Sequence, residues 1–284
     1  MKTRVFHGVV SPWAKKILRE AGEGEIALVT SRGIYLAAAG ERILLCDAAW
    51  GAVPAGIALK DFPSFASLFP EAGIPFSLKE GLFVCGGVKA EADWIEAAPD
   101  DSVLTPDPQA FQKALSVLKQ SAKNTSFAVL GSVLWENAPC ETLLLRRAYD
   151  ALKELLDSMK EKNARGIKRA AEKLIGLGPG LTPSGDDVLA GLYYGLSHSP
   201  LRESAECITL KEALFAAGEK TAPVSASLLK AVASGAPFAL LSGAWRDPEK
   251  ANDLVKAGAH SGSEMLLGLL CAAALLTEKN VTPV

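Results

Sequence analysis

The sequence predicts an α+β chain, with a strand-rich N-terminal module, barrel-like or a mixed sheet, followed by a predominantly helical C-terminal module. Three observations carry this. Short apolar runs broken by glycine or charge fill the first hundred residues. After "TPDP" the apolar residues recur at helical spacing instead. Strands and helices do not alternate, which argues against a doubly wound sheet. The two modules divide as a strand-rich domain at 1–107 and a helical domain at 108–284.

Taken in order, "RVFHGVV", "EIALVTS", "GIYLAAA" and "RILLCDA" read as closely connected strands, with "SRG" and "AGERI" as turns. "VPAGIAL" and "GLFVCGG" add two more. The prolines of "DFPSFASLFPEAGIPF" speak against a central strand, so this stretch is expected to be loop with a short helical turn. Pro108 suits the first turn of a helix over "QAFQKALSVLKQSAK". "ETLLLRRAYDALKELLDSMK" and "NARGIKRAAEKLIG" are two further helices, the second stopped by Gly176. "DVLAGLYYGL", "ESAECITLKEALFAAG", "VSASLLKAVASG", "PEKANDLVKAGA" and "SEMLLGLLCAAALL" complete the helical set.

Composition narrows the function classes. A chain of 284 residues with 49% hydrophobic content buries a sizeable core. A formal net charge of −2 and 22% charged residues argue against a nucleic-acid partner, while leaving room for a local anion site. The five cysteines are widely spaced and form no CxxC pair, which fits a reducing, cytoplasmic setting and not a disulfide or zinc framework. Cys46 and Cys85 read as buried thiols. The start, interrupted by Ser, Pro and charges, does not read as a signal peptide. "MLLGLLCAAALL" is too short for a membrane span of about twenty residues. It reads as a core helix or one buried against a partner subunit.

The stretch "GLGPGLTPSGDD", Gly176 to Asp187, is the densest concentration of special residues. Gly178 and Gly180 allow close backbone approach and positive φ. Thr182 is expected to cap the next helix and Pro183 to occupy its first position, leaving free amides and the Ser184 hydroxyl, with Gly185 behind it, facing a phosphate or carboxylate. Asp186 and Asp187 complicate that cradle, because two carboxylates repel a naked anion. Three resolutions stay open: one Asp binds a backbone amide, the pair neutralises an arginine, or one holds a divalent cation such as Mg²⁺ that also meets the ligand. Arg165, Arg169 and Lys173, at i, i+4 spacing on the preceding helix, are either a solvated edge or positive charge offered to the loop. The bland alternative is a tight interhelical turn with acidic caps. No GxxxxGK[ST], strand-borne GxGxxG, GxSxG or HExxH pattern is present.

Two later stretches repeat the design. "AGAHSGSEMLLGLL" places His260, Ser261, Ser263 and Glu264 at a helix start, with His260 as a candidate acid or base or else a structural histidine. "GEKTAPVSASLLK" offers Thr221 and Ser225 before another helix. These hydroxyls either converge on one small polar ligand or are ordinary caps. His198 reads as a surface residue and His7 as a strand-edge one.

"GLGPGLTPSGDDVLAG", "TAPVSASLLKAVASG" and "GAHSGSEMLLGLL" together resemble the family that includes the AllH subunit of bacterial oxamate carbamoyltransferase, a resemblance expected to cover nearly the whole chain and most specific over 174–268. Where relatives carry aspartate in the last motif, this chain has Glu264. The resemblance implies an assembly with two unlike subunits, AllF and AllG, in anaerobic allantoin and purine nitrogen use. Its reaction converts oxalurate and phosphate to oxamate and carbamoyl phosphate. His260, Asp186 and Asp187 are the expected catalytic set, and the glycines and hydroxyls named above, with Glu264, are expected to bind substrate. The competing readings are a noncatalytic anion-binding or assembly subunit, and an independent hydrolase or lyase acting on a small carboxylate or amide.

Overall fold

The computed structural model describes residues 4–123 and 125–278. They fall into two compact units, Met1–Asp100 with Ser234–Ala239, and Asp101–Ala233 with Leu240–Val284.

The first unit is an eight-stranded closed barrel. Its strands are β1 (Arg4–Val10), β2 (Glu23–Val29), β3 (Ile34–Ala38), β4 (Glu41–Asp47), β5 (Gly56–Leu59), β6 (Pro75–Lys79), β7 (Leu82–Cys85) and β8 (Val88–Glu96). They run in the order β1-β5-β4-β3-β2-β6-β7-β8. The ring is closed by parallel pairing of β8 with β1, His7 standing opposite Asp93. Most neighbours are antiparallel, as short connections require, and β4 with β5 is a second parallel pair. Closure removes exposed strand edges. Two helices accompany the strands, α1 (Pro12–Ala21) and α2 (Phe62–Ala66). Ser11 accepts from the Ala14 amide, Pro12 begins α1, and Gly22 ends it in the left-handed region at φ 66°.

Alternation along the strands fills the barrel with Phe6, Val10, Ile26, Ile34, Leu36, Ile43, Leu45, Ile57, Phe76 and Phe83, joined by Phe62, Phe65 and Phe69. The aromatic rings touch edge-on and stacked: Phe6 meets Phe65 at 4.6 Å between centroids, and Phe76 stacks on Phe83 at 5.5 Å.

The second unit is helical. It comprises α3 (Pro108–Ser121), α4 (Leu130–Glu136), α5 (Leu143–Lys160), α6 (Ala164–Leu174), α7 (Ser184–Ser197), α8 (Ala205–Phe215), α9 (Pro223–Ala233), α10 (Ala239–Arg246), α11 (Ala251–Leu254) and α12 (Ser261–Glu278). Asp107 caps α3 by accepting from the Gln109 and Ala110 amides, with Pro108 in the first turn as its sequence position predicts. Thr142 caps α5 and Asn163 caps α6. The faces follow composition. Amphipathic α5 buries Leu145, Leu152, Leu155 and Met159. In contrast, α7 is apolar on every face beyond its Ser-Gly-Asp-Asp first turn and is buried at every residue from Ser184 to Leu196. "MLLGLLCAAALL" lies in α12, packed within this unit along α7.

The architecture expected from sequence, a barrel-like strand module followed by helices, is the one observed. Several elements differ. The proline-rich stretch holds α2 and also the start of β6, whose first residue is Pro75, a position where a strand tolerates the missing donor. Elements α1, β8, α4 and α10 lie outside the expected set. "PEKANDLVKAGA" forms only a 3₁₀ turn and the four-residue α11, not a full helix. All five cysteines are free, and burial pushes the Cys46 thiol up to about 12 and Cys85 up to about 11. Among the described residues no helix is long and apolar enough to cross a membrane.

Candidate functional site

The turn into α7 is held by backbone conformations that favour glycine. Gly176 and Gly178 have φ of 75° and 111°. A Cβ on Gly176 would stand 2.3 Å from the Lys220 carbonyl oxygen, and one on Gly178 3.0 Å from the Ser184 backbone nitrogen. The bend folds Leu177 back so that its carbonyl accepts from the Gly185 amide at 2.9 Å.

That bond changes the cradle expected from sequence. The amides of Asp186 and Asp187 also point inward, to the Pro183 carbonyl at 2.9 and 3.2 Å. Three of the amides taken to face a ligand are therefore engaged within the fold. Pro183, not Thr182, holds the cap position, with no side-chain cap. The Thr182 hydroxyl reaches across the sequence to Ser261 instead, 3.0 Å away. This bond joins the glycine loop to the start of α12. Gly180 and Leu181 stay exposed beside it.

The two adjacent aspartates have different surroundings. Asp186 is fully buried and saturated: Oδ1 accepts from the Gly176 amide at 2.9 Å, and Oδ2 accepts from the Ser225 hydroxyl at 2.6 Å and from Thr221. One of the resolutions left open by sequence, an Asp binding a backbone amide, is this contact. Burial raises its carboxyl above the ordinary range, and the three donors oppose the rise.

Asp187 is equally buried, yet neither carboxyl oxygen accepts a hydrogen bond of ordinary geometry. The Thr182 and Ser261 hydroxyls bond to each other, which leaves one O–H of the pair free, and both act on Asp187 to favour its charged form. Loss of solvent and the nearby charge of Glu264 push its carboxyl well above the usual range, with Asp186 adding to the rise. Both influences favour the protonated form of Asp187 over its carboxylate.

Glu264 enters from α12, also buried, and accepts from the Ser126 hydroxyl and the Phe127 amide, both at 3.0 Å. Its nearness to Asp187 follows from the packing of α7 on α12. A Cβ on Gly191 would lie 2.0 Å from the Met265 carbonyl oxygen, and one on Gly268 would lie 2.1 Å from that of Val188. Two glycines thus let the helix backbones approach more closely than side chains permit.

The structure thus brings Thr182, Asp186 and Asp187 together with Thr221, Ser225, Ser261 and Glu264, whereas Gly185 packs on the Leu174 carbonyl of α6 and Ser184 lies against Gly178. Ser263 turns back on its own helix start, donating to the His260 carbonyl at 2.7 Å. His260 is half-buried and contributes its backbone carbonyl to these bonds, the Glu264 amide donating to it at 3.0 Å. The cationic edge before the loop turns away: Arg169 and Lys173 both pair with Glu154 of α5. No arginine neutralises the aspartates among the bonds described here. Among the described residues no group of three or more His, Cys, Asp or Glu side chains is placed to hold a metal ion. His198 is partly buried, its ring stacked on Tyr194 at 4.0 Å, and His7 pairs with Asp93 on the outside of the barrel.

Sequence reasoning missed Ser126 and the Phe127 amide, which hold Glu264 from more than a hundred residues away and carry no local signal. It also missed Gly191 and Gly268. Their signal was available, as isolated glycines inside apolar helices mark close backbone approach.

Residues 174–273 match the family described as oxamate carbamoyltransferase subunit AllH, and over that part, about a third of its length, the chain is related to that family. Comparison with curated proteins and with solved structures gave no match.

Proposed function

We propose that this chain is a subunit of, or a protein related to, oxamate carbamoyltransferase, and that the seam where α7 meets α12 handles a small anionic carbamoyl compound. In this reading the reaction is oxalurate plus phosphate to oxamate plus carbamoyl phosphate, in a complex with unlike partner subunits. One observation carries the reading: the matched segment contains Thr182, Asp186, Asp187, Thr221, Ser225, Ser261 and Glu264, the cluster in which the unbonded Asp187 lies.

The chemistry fits those groups. Moving a carbamoyl group from nitrogen to a phosphate oxygen leaves an amide nitrogen that must gain a proton. A carboxyl that keeps its proton near neutral pH is suited to supply it. Burial and the nearby Glu264 favour the protonated form of Asp187. His260, one residue before Ser261, is a second group able to move a proton. Asp186, saturated by its three donors, positions the loop and α9. The positive end of the α7 dipole favours negative charge developing at the turn, and the Thr182 and Ser261 hydroxyls supply donors for it.

The test is production of carbamoyl phosphate from oxalurate and phosphate by the purified chain, alone and mixed with AllF-type and AllG-type subunits. Product only in the mixture is expected. Turnover by the chain alone would reject the need for partners, and no product in either case would reject the carbamoyl-transfer reading.

A further inference from the structure

The carboxyl of Asp187 is sealed from solvent, and neither oxygen accepts a hydrogen bond of ordinary geometry. Over it lie two hydroxyls, those of Thr182 and Ser261, which bond to each other at 3.0 Å and both act on Asp187. One comes from the end of the glycine loop and the other from the first residue of α12. Unlike Asp187, both of these residues are half-buried, and their chain neighbours Gly180, Leu181 and Ala259 are exposed. A buried carboxyl without a well-made bond is costly, and natural folds retain one where it has work to do.

We propose that the Thr182–Ser261 hydroxyl pair is the group that meets the small anion, and that Asp187 behind it is a positioning residue that sets which way the pair donates. This rests on the small-anion reading above and names the contact that reading leaves open. Asp187 touches no ligand in this arrangement, so its burial is no obstacle.

The donor count carries the proposal. Two hydroxyls hold two O–H donors, and the bond between them uses one, whichever residue supplies it. A carboxylate only accepts, so a charged Asp187 draws the remaining O–H inward and the pair turns lone pairs outward. A protonated Asp187 donates into the pair instead, and the remaining O–H is free to face out. An anion needs an outward donor. Anion binding at the pair and proton binding at Asp187 therefore favour each other, by the same factor in both directions. Hydrogen bonds at a working site are often loose before the ligand arrives and tighten with it, which fits the poor alignment around Asp187. The charged groups acting on Asp187 are Glu264 from α12 and Asp186 on its own helix, and His260, one residue before Ser261, is a further titratable group at this helix start.

The experiment measures oxamate binding to the full chain by calorimetry, from mildly acidic to alkaline pH. In the native chain the dissociation constant is expected to rise by up to about tenfold per pH unit once Asp187 ionises, with uptake of about one proton per anion. Asp187→Asn, which has no proton to lose, should bind with a pH-independent constant over that alkaline range, while His260→Asn should keep the rise. Thr182→Val and Ser261→Ala should each weaken binding about tenfold or more at neutral pH. Native binding that is flat with pH overturns the inference and leaves the small-anion site standing. So does a rise that persists in Asp187→Asn and vanishes in His260→Asn, or native affinity in both hydroxyl variants. Absence of oxamate binding by the native chain overturns the site and the inference together. The native series and the His260 variant decide the matter even where Asp187→Asn fails to fold.

Discussion

The barrel interior and the seam between α7 and α12 are both buried, and they are built on opposite principles. The barrel is closed around apolar side chains, with a run of touching phenylalanines. The seam is drawn tight by glycines and then loaded with three carboxyl groups. Burying aromatic rings gains stability in proportion to area. Burying carboxyls costs stability unless each finds partners or keeps a proton. The second unit tolerates a destabilising centre because the long, largely apolar remainders of α7 and α12 are buried beside it. Such a centre is the more informative place to look for chemistry.

Four outcomes would sharpen or break this contrast, in descending size. Phe83→Ala removes a ring that contacts Phe65, Phe69 and Phe76, and it should cost about 3–5 kcal/mol in denaturant unfolding. A loss below about 1 kcal/mol would mean that the barrel is not held by its aromatic core. Gly268→Ala, at the tight approach to Val188, should cost about 1–3 kcal/mol by forcing the two helices apart. A neutral outcome there would deny that backbone contact sets the seam.

The third outcome concerns pH. Folding raises the Asp187 pKa, so the folded state binds this proton more tightly than the unfolded chain does. Its contribution favours folding at low pH and is lost as pH rises from the ordinary aspartate range towards its folded value. The loss can reach about 1.4 kcal/mol per pH unit while only the folded state holds the proton. Asp186 is shifted in the same direction and adds to the slope. Asp187→Asn should therefore flatten the stability–pH curve in part, and an unchanged slope would show that Asp187 does not carry the proton. Last, His7→Ala breaks an exposed pair with Asp93 and should change stability by no more than about 0.5 kcal/mol. A larger loss would show that the barrel closure relies on this pair.

Much of this was legible in the chain itself, and particular residues show where reading stops. The glycine loop announced itself because Gly, Thr, Pro, Ser and paired Asp crowd one turn, and local crowding is a local signal. Pro108 after Asp107 marked a helix start for the same reason. By contrast β6 was hidden, since Pro75 speaks against a strand until pairing with β2 and β7 shows the position tolerates it. Thr182 carried every mark of a cap and instead bonds Ser261, because a hydroxyl takes whichever partner the tertiary fold presents. Of the two readings left open for the cationic edge, the solvated one holds: Arg169 and Lys173 stay largely exposed and pair with Glu154, which lies on another helix.

The sequence by itself determined the periodicities, the turn that only glycines can make, and the presence of acidic and hydroxyl side chains at three helix starts. All of these depend on neighbours within a few residues. Only the tertiary structure decided that Asp186 is saturated while Asp187 is not. Successive helix residues point about 100° apart, so one carboxyl faces Thr221 and Ser225 and the other lies under Thr182 and Ser261 near Glu264. Which of two identical side chains finds donors depends on what packs against each side of the helix, and those partners come from segments far away in the chain.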